Sequence, residues 1–165
     1  MKKKQKLTSN IFLINKRFKK NEYYHYFELP NFSITVPIIK DKFLIVSQKR
    51  VPINEFNYEF PSGWVDYGET PIKSAARELL EETGFNSLIK PKKLLELYPE
   101  AGRLSNTVFA FFTNRIEKIK KEEKGIKTRL VSKNQLIKLI TTKKFNNSAH
   151  IAVFYHYLFK FFDNN

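Results

Sequence analysis

Residues 63–85, GWVDYGETPIKSAARELLEETGF, gather carboxylates in a chain otherwise rich in lysine. Five acids (Asp66, Glu69, Glu78, Glu81, Glu82) stand with two bases (Lys73, Arg77), a formal −3; the whole chain carries +14, so the remainder sums to +17. At about 100° per residue, Glu78, Glu81 and Glu82 share one arc of about 100° beside an apolar stripe of Ile72, Ala75, Ala76 and Leu79. Glu78 and Glu82 form a like-charged i,i+4 pair, unfavourable in an isolated helix by roughly a few tenths of a kcal/mol. Two readings follow. One is the solvated face of an ordinary amphipathic helix. The other is a divalent-cation site, because Mg2+ and Mn2+ are hard ions that take carboxylate, carbonyl and water oxygens. A bound ion would remove the repulsion, but the wheel alone leaves both readings open.

The acidic helix has clear ends. Thr70 suits the N-cap, Pro71 the first turn, and Gly84 the left-handed position after the last turn. Before it, runs rich in aromatic and β-branched residues predict strands at NIFLIN (10–15), YYHYFEL (23–29), FSITVPII (32–39) and KFLIVSQ (42–48). Lys40-Asp41 joins the last two as a hairpin, and residues 51–63 read as a loop punctuated by Pro52, Pro61 and Gly63. After it come strands at KLLELY (93–98) and TVFAFFT (107–113), a basic loop at 117–125 and a strand at KTRLV. Ser132 and Gln135 form a capping box for a helix through Ile140, and a last helix starts near Ser148. Its aromatic stripe (Ile151, Phe154, Tyr155, Leu158, Phe159, Phe162) suits a core or a subunit contact. Strands and helices mix without regular βαβ alternation, which predicts an α+β fold with helices packed on a mixed sheet.

At 165 residues the chain fits a single domain, 1–165, with residues 1–9 expected as a flexible basic tail. No apolar run approaches the roughly 20 residues that span a bilayer, and IFLI is too short for a signal-peptide core; the expected location is cytoplasmic, with no membrane partner. Without cysteine there is neither a disulfide frame nor a thiol nucleophile. The net +14 raises nucleic acid as a partner. Against it, the bases are overwhelmingly lysine rather than arginine, the better bidentate reader of phosphate. His25, His150 and His156 show no ligand spacing.

The full spacing carries more than the wheel. Gly63, five residues, Glu69, seven residues, then Arg77-Glu78-Leu79-Leu80-Glu81-Glu82-Thr83-Gly84-Phe85 matches the Nudix box throughout. The chain thus resembles the Nudix hydrolases. The resemblance implies an α/β/α sandwich that hydrolyses the diphosphate linkage of a nucleoside diphosphate derivative with Mg2+ or Mn2+. It implies that Glu78, Glu81 and Glu82 hold metal with the Gly63 carbonyl, that Glu69 supports the site, and that Arg77 orients Glu78. Glu78, Arg77 and Glu81 are the expected catalytic residues, with Glu122 or Glu123 as alternative bases for the attacking water.

Gln48-Lys49-Arg50 and Tyr58-Glu59-Phe60-Pro61-Ser62-Gly63 resemble the branch that cleaves ADP-ribose and other nucleotide sugars, as does the loop Leu97–Arg103. Trp64 departs from that branch's small residue, and Lys124-Gly125 stand where acids are expected. Arg50 and Arg103 are the expected phosphate contacts, and Trp64 the candidate to stack on a base or sugar. The N-terminal strands suit a homodimer contact. The alternatives are an RNA 5′-end, cap or dinucleoside polyphosphate hydrolase, and a non-catalytic nucleotide sensor.

Overall fold

The computed structural model describes residues 2–19 and 22–161. The chain begins with β1 (Lys2–Lys6), β2 (Phe12–Lys19), β3 (Glu22–Glu28), β4 (Phe32–Ile39) and β5 (Lys42–Arg50). A single 3-10 turn (Val51–Ile53) leads to β6 (Glu55–Glu59), β7 (Ser62–Trp64) and α1 (Pro71–Thr83). Then follow β8 (Phe85–Ser87), β9 (Lys92–Leu97), β10 (Val108–Thr113), β11 (Ile116–Lys118), β12 (Lys127–Val131), α2 (Lys133–Thr141) and α3 (Ser148–Phe161).

The central sheet has the order β12-β5-β4-β10-β9, with β6 added on β5 and β7 on β4. β4 pairs parallel with β10, Ile34 opposite Ala110, while β10–β9 and β5–β12 are antiparallel, giving the expected mixed sheet. The β4–β5 hairpin turns at Lys40 and Asp41, both at positive φ (47° and 61°). That geometry matches the right-handed twist of the flanking strands, and aspartate tolerates it better than most residues.

β4 shows why the architecture is layered, since alternate side chains of a strand leave on opposite faces. Ser33 Oγ lies 2.8 Å from Ser74 Oγ, and Thr35 Oγ1 donates to the Ala75 carbonyl at 2.8 Å, so one face carries α1. Ile34 and Val36 enter the cluster built by Phe43, Phe60, Leu136, Phe145, Val153 and Phe154, which places α2 and α3 on the other face. Phe43 meets the rings of Phe154 (5.3 Å) and Tyr157 (5.6 Å) edge-on, an arrangement that favours aromatic pairs beyond their buried area.

Residues 2–6, expected as a tail, form strand β1 on β2, Lys4 opposite Ile14. Its sequence, KKKQK, has no apolar alternation to signal a strand. It is held by the backbone ladder, by Lys4 over the Phe12 ring and by the Lys4–Glu28 pair. The β1–β3 sheet attaches to its own chain. Phe27 N–H donates to the Arg103 carbonyl (2.7 Å), Ser105 N–H to the Phe27 carbonyl (3.0 Å), and Tyr24 Oη to the Gly102 carbonyl (2.6 Å). The short strand β6 and the first two residues of β7 lie inside the expected loop, where no hydrophobic period marks them.

The capping box at Ser132 and Gln135 is present in both directions, whereas Thr70 holds the N-cap position without a side-chain cap bond. Among the described residues, no helix is long and apolar enough to cross a membrane. On α3 the stripe divides: Phe154 and Leu158 are buried, Tyr155 and Phe159 exposed, and Phe162 lies outside the described residues. This division sets a test. Phe154→Ala should cost about 3–5 kcal/mol in urea unfolding, whereas Phe159→Ala should stay within about 0.5 kcal/mol. Equal losses would mean that α3 packs on a different face.

Candidate active site

β7 pairs with β4 so that Gly63 stands opposite Ser33. α1 crosses behind this strand, and the Glu78 carboxylate presses against the Gly63 backbone. A Cβ built on Gly63 would lie 2.1 Å from Glu78 Oε1, so a side chain here would push the Glu78 carboxylate aside.

Arg77 is the local hub. Its Nε and Nη2 donate to Glu69 Oε1 and Oε2 (3.1 and 3.0 Å), a bidentate fork. Nη1 donates to Glu78 Oε1 (2.7 Å) and Glu81 Oε2 (3.0 Å), and Nη2 also reaches the Trp64 carbonyl at 2.9 Å. Hydrogen bonding to Arg77 holds Glu69 below the usual carboxylate range, and the bonds to Glu69 above all raise the Arg77 guanidinium still further. Glu78 moves the other way, because burial outweighs its bond to Arg77.

Glu82 has no share of that guanidinium. It is 6% exposed; its Oε2 accepts the Ser62 N–H (2.9 Å) and its Oε1 the Gln48 amide (3.1 Å). Burial pushes it up to about 7, with the Glu78 charge adding to the rise. The bland reading of the acidic stripe therefore fails for this residue, since a solvated face does not bury its carboxylate.

Arg50 stands two residues after Gln48 on β5. Its Nε donates to Glu59 Oε1 (3.0 Å) and its Nη2 to Glu59 Oε2, leaving Nη1 without a partner among the described residues. Burial works to raise Glu59, but Arg50 and Asn57 (Nδ2 to Oε1, 3.1 Å) keep it low. His150, fully buried on α3, accepts the Phe60 N–H on Nδ1 at 3.1 Å. Burial pulls His150 down to about 4, so the ring is neutral at neutral pH.

The remaining expected residues are spread. Glu81 is exposed and lines a cleft of about 280 Å³ with Lys120, Lys121 and Glu123, whereas Glu122 is taken by Lys118 at 2.7 Å. Of the two alternative bases, Glu123 thus shares Glu81's cleft. Trp64 is 44% exposed and packs edge-on against Phe32 at 5.3 Å. Arg103 stacks over the Tyr24 ring at 5.2 Å and forms no ion pair among the described residues. Sequence reasoning missed Gln48 as a partner of Glu82 and Glu59 as the holder of Arg50. The signal available for both was position alone, Gln48 and Arg50 sharing one face of β5 and Glu59 lying on the paired strand.

Among the described residues, no three His, Asp or Glu side chains stand gathered as a ready metal cluster. The donor set still fits a hard divalent cation: Glu78 lies against the Gly63 backbone, Glu82 is buried next to it in charge, and Glu81 is one helical turn from Arg77. Arg77 bonds Glu78 and Glu81 in this arrangement but does not reach Glu82, which feels only the more distant charge of Arg50.

A family model described as NUDIX domain matches residues 29–152. The chain is 27% identical over 108 residues to ADP-ribose pyrophosphatase from Bacillus subtilis, 62% of this chain and 58% of that protein. It is 45% identical over 42 residues to ADP-sugar pyrophosphatase from Mus musculus, 26% of this chain and 19% of that protein. A match of the same identity and length is to RNA pyrophosphohydrolase from Helicobacter pylori, 24% of that protein. The chain thus aligns to less than two thirds of each of these relatives. A crystal structure titled ADP compounds hydrolase superposes with a TM-score of 0.79 over 97% of this chain and 92% of that one, at 17% identity, and shares the fold.

The state of Glu82 gives a direct test. Its value in the fold, about 7, exceeds the ordinary 4.5. Between those values the folded chain keeps a proton that the unfolded chain has lost, so stability falls as pH rises through this window. In a chelator, Glu82→Gln should match the wild type below about pH 4.5 and be more stable by about 3 kcal/mol above pH 7. Parallel stability profiles across that range would contradict the burial argument.

Proposed function

The chain belongs to the NUDIX domain family, and on that premise we propose that it is a hydrolase of the diphosphate linkage in a nucleoside diphosphate derivative, ADP-ribose or another ADP-sugar, working with Mg2+ or Mn2+. The observation that carries this reading is the buried Glu82 carboxylate, raised beside Glu78 and without an ion pair among the described residues.

Gly63, Glu78, Glu81 and Glu82 are assigned to the metal, which when bound neutralises diphosphate oxygens and makes water a nucleophile near neutral pH. The chain's own groups set the geometry. Arg77, fixed by the Glu69 fork, orients Glu78 and Glu81; Ser62 N–H and Gln48 orient Glu82. Arg50, gripped by Glu59 on two nitrogens, offers Nη1 to a phosphate oxygen. Glu123, exposed in the cleft that Glu81 lines, takes the proton of the attacking water. Arg103 and Trp64 are assigned to the rest of the substrate.

The nucleotide-sugar reading is favoured over RNA by extent of similarity. The 42-residue matches to the ADP-sugar and RNA enzymes tie, but the match to ADP-ribose pyrophosphatase runs over 108 residues. The +14 charge supports the second reading, which predicts turnover of 5′-triphosphorylated RNA that falls steeply with salt as counterions are released.

A panel of ADP-ribose, other nucleotide sugars, dinucleoside polyphosphates and RNA, each with Mg2+ or Mn2+, separates them. Turnover of ADP-ribose with weak salt dependence is expected, and Glu82→Gln should lower kcat/KM by about a hundredfold or more. No turnover of any substrate, or full activity in Glu82→Gln, would remove the assignment.

A further inference from the structure

We propose that Lys120 and Lys121 form a cationic rim that contacts the substrate's diphosphate from the C-terminal end of α1, a specificity role that rests on the hydrolase reading above. The placement begins with Gly84, which caps α1 at φ 74°. Its carbonyl accepts the N–H groups of Ile119 (2.9 Å) and Lys120 (3.2 Å). A Cβ on Gly84 would lie 2.1 Å from the Lys120 carbonyl oxygen, so the segment after β11 is seated tightly on the helix end. Glu81 lies three residues before that anchor. The anchored segment faces it across the cleft of about 280 Å³ that Glu81, Lys120, Lys121 and Glu123 line.

The charges around this cleft are unevenly committed. Arg77 engages Glu81 at 3.0 Å and Lys118 engages Glu122 at 2.7 Å. Neither Lys120 nor Lys121 has an ion-pair partner among the described residues. Two exposed ammonium groups thus line the cleft beside Glu81 and Glu123 without forming an ion pair among the described residues. An ammonium is a compact point charge without the planar fork of a guanidinium. A pair of them reads the amount of negative charge rather than its shape, which suits a diphosphate over a single phosphate. Their seat on Gly84 keeps them beside the acidic helix, where Glu78, Glu81 and Glu82 would otherwise repel the same anion.

The test compares wild type with the Lys120→Ala/Lys121→Ala double variant and the corresponding double arginine variant. Steady-state kinetics are read on the turned-over substrate, and calorimetry on inorganic diphosphate and inorganic phosphate with magnesium in excess. The alanine variant should raise KM about tenfold with kcat within about twofold, and weaken diphosphate binding about tenfold. Phosphate binding should change little, and the arginine variant should restore both values. KM and diphosphate affinity both unchanged in the alanine variant would overturn the rim while leaving the hydrolase reading intact. Lysine-dependent diphosphate binding in a wild type that hydrolyses nothing would uphold the rim and remove the hydrolase reading.

Discussion

One guanidinium cannot neutralise four carboxylates. Arg77 divides its five N–H donors among Glu69, Glu78, Glu81 and the Trp64 carbonyl, and Glu82 is left to a backbone N–H and an amide. Both of Glu82's donors are neutral dipoles and Arg50 acts on it only through space, so burial outweighs what offsets its charge. Burying a carboxylate in that condition is unfavourable unless it takes a proton or a cation. The acidic helix is consistent with burial only if one of those two partners is supplied, and the proposed function makes use of the cation.

The fold delivers the parts of this arrangement from both faces of the sheet. On one face, Ser33 and Thr35 of β4 fix α1 through Ser74 and the Ala75 carbonyl, which sets the height at which Glu78 meets Gly63. On the other, His150 of α3 accepts the Phe60 N–H, two residues before the Ser62 N–H that orients Glu82. A neutral imidazole is needed there, since the charged form would lose the acceptor on Nδ1, and burial keeps it neutral. The β6–β7 connection is thereby satisfied from both sides, which gives Gly63 and Ser62 a fixed place without long strands of their own.

Much of this was legible in the sequence, and the failures have physical reasons. The helix with Pro71 at its start and Gly84 at its end, the Lys40-Asp41 hairpin and the Ser132 capping box are local signals, and each stands where its chemistry put it. The box residues were readable because their spacing is a property of one helix and one turn. The commitment of Arg50 to Glu59 was not readable, because that pair joins neighbouring strands across the 3-10 turn. The β1 strand, all lysine and glutamine, has backbone pairing and no apolar pattern to announce it. The aromatic stripe of α3 was readable as core or subunit contact but not as to which residue does which, because a helix apolar on most of its circumference does not say which side faces the core; Tyr155 and Phe159 face out.

The most direct measurement is Mn2+ uptake followed by electron paramagnetic resonance, with wild type, Glu82→Gln and Gly63→Ala titrated side by side. The account predicts saturable Mn2+ binding by wild type and marked weakening in both variants, one losing a carboxylate and the other forcing Glu78 away from the Gly63 backbone. Absence of bound Mn2+ at millimolar concentration, or uptake indifferent to both substitutions, would contradict it.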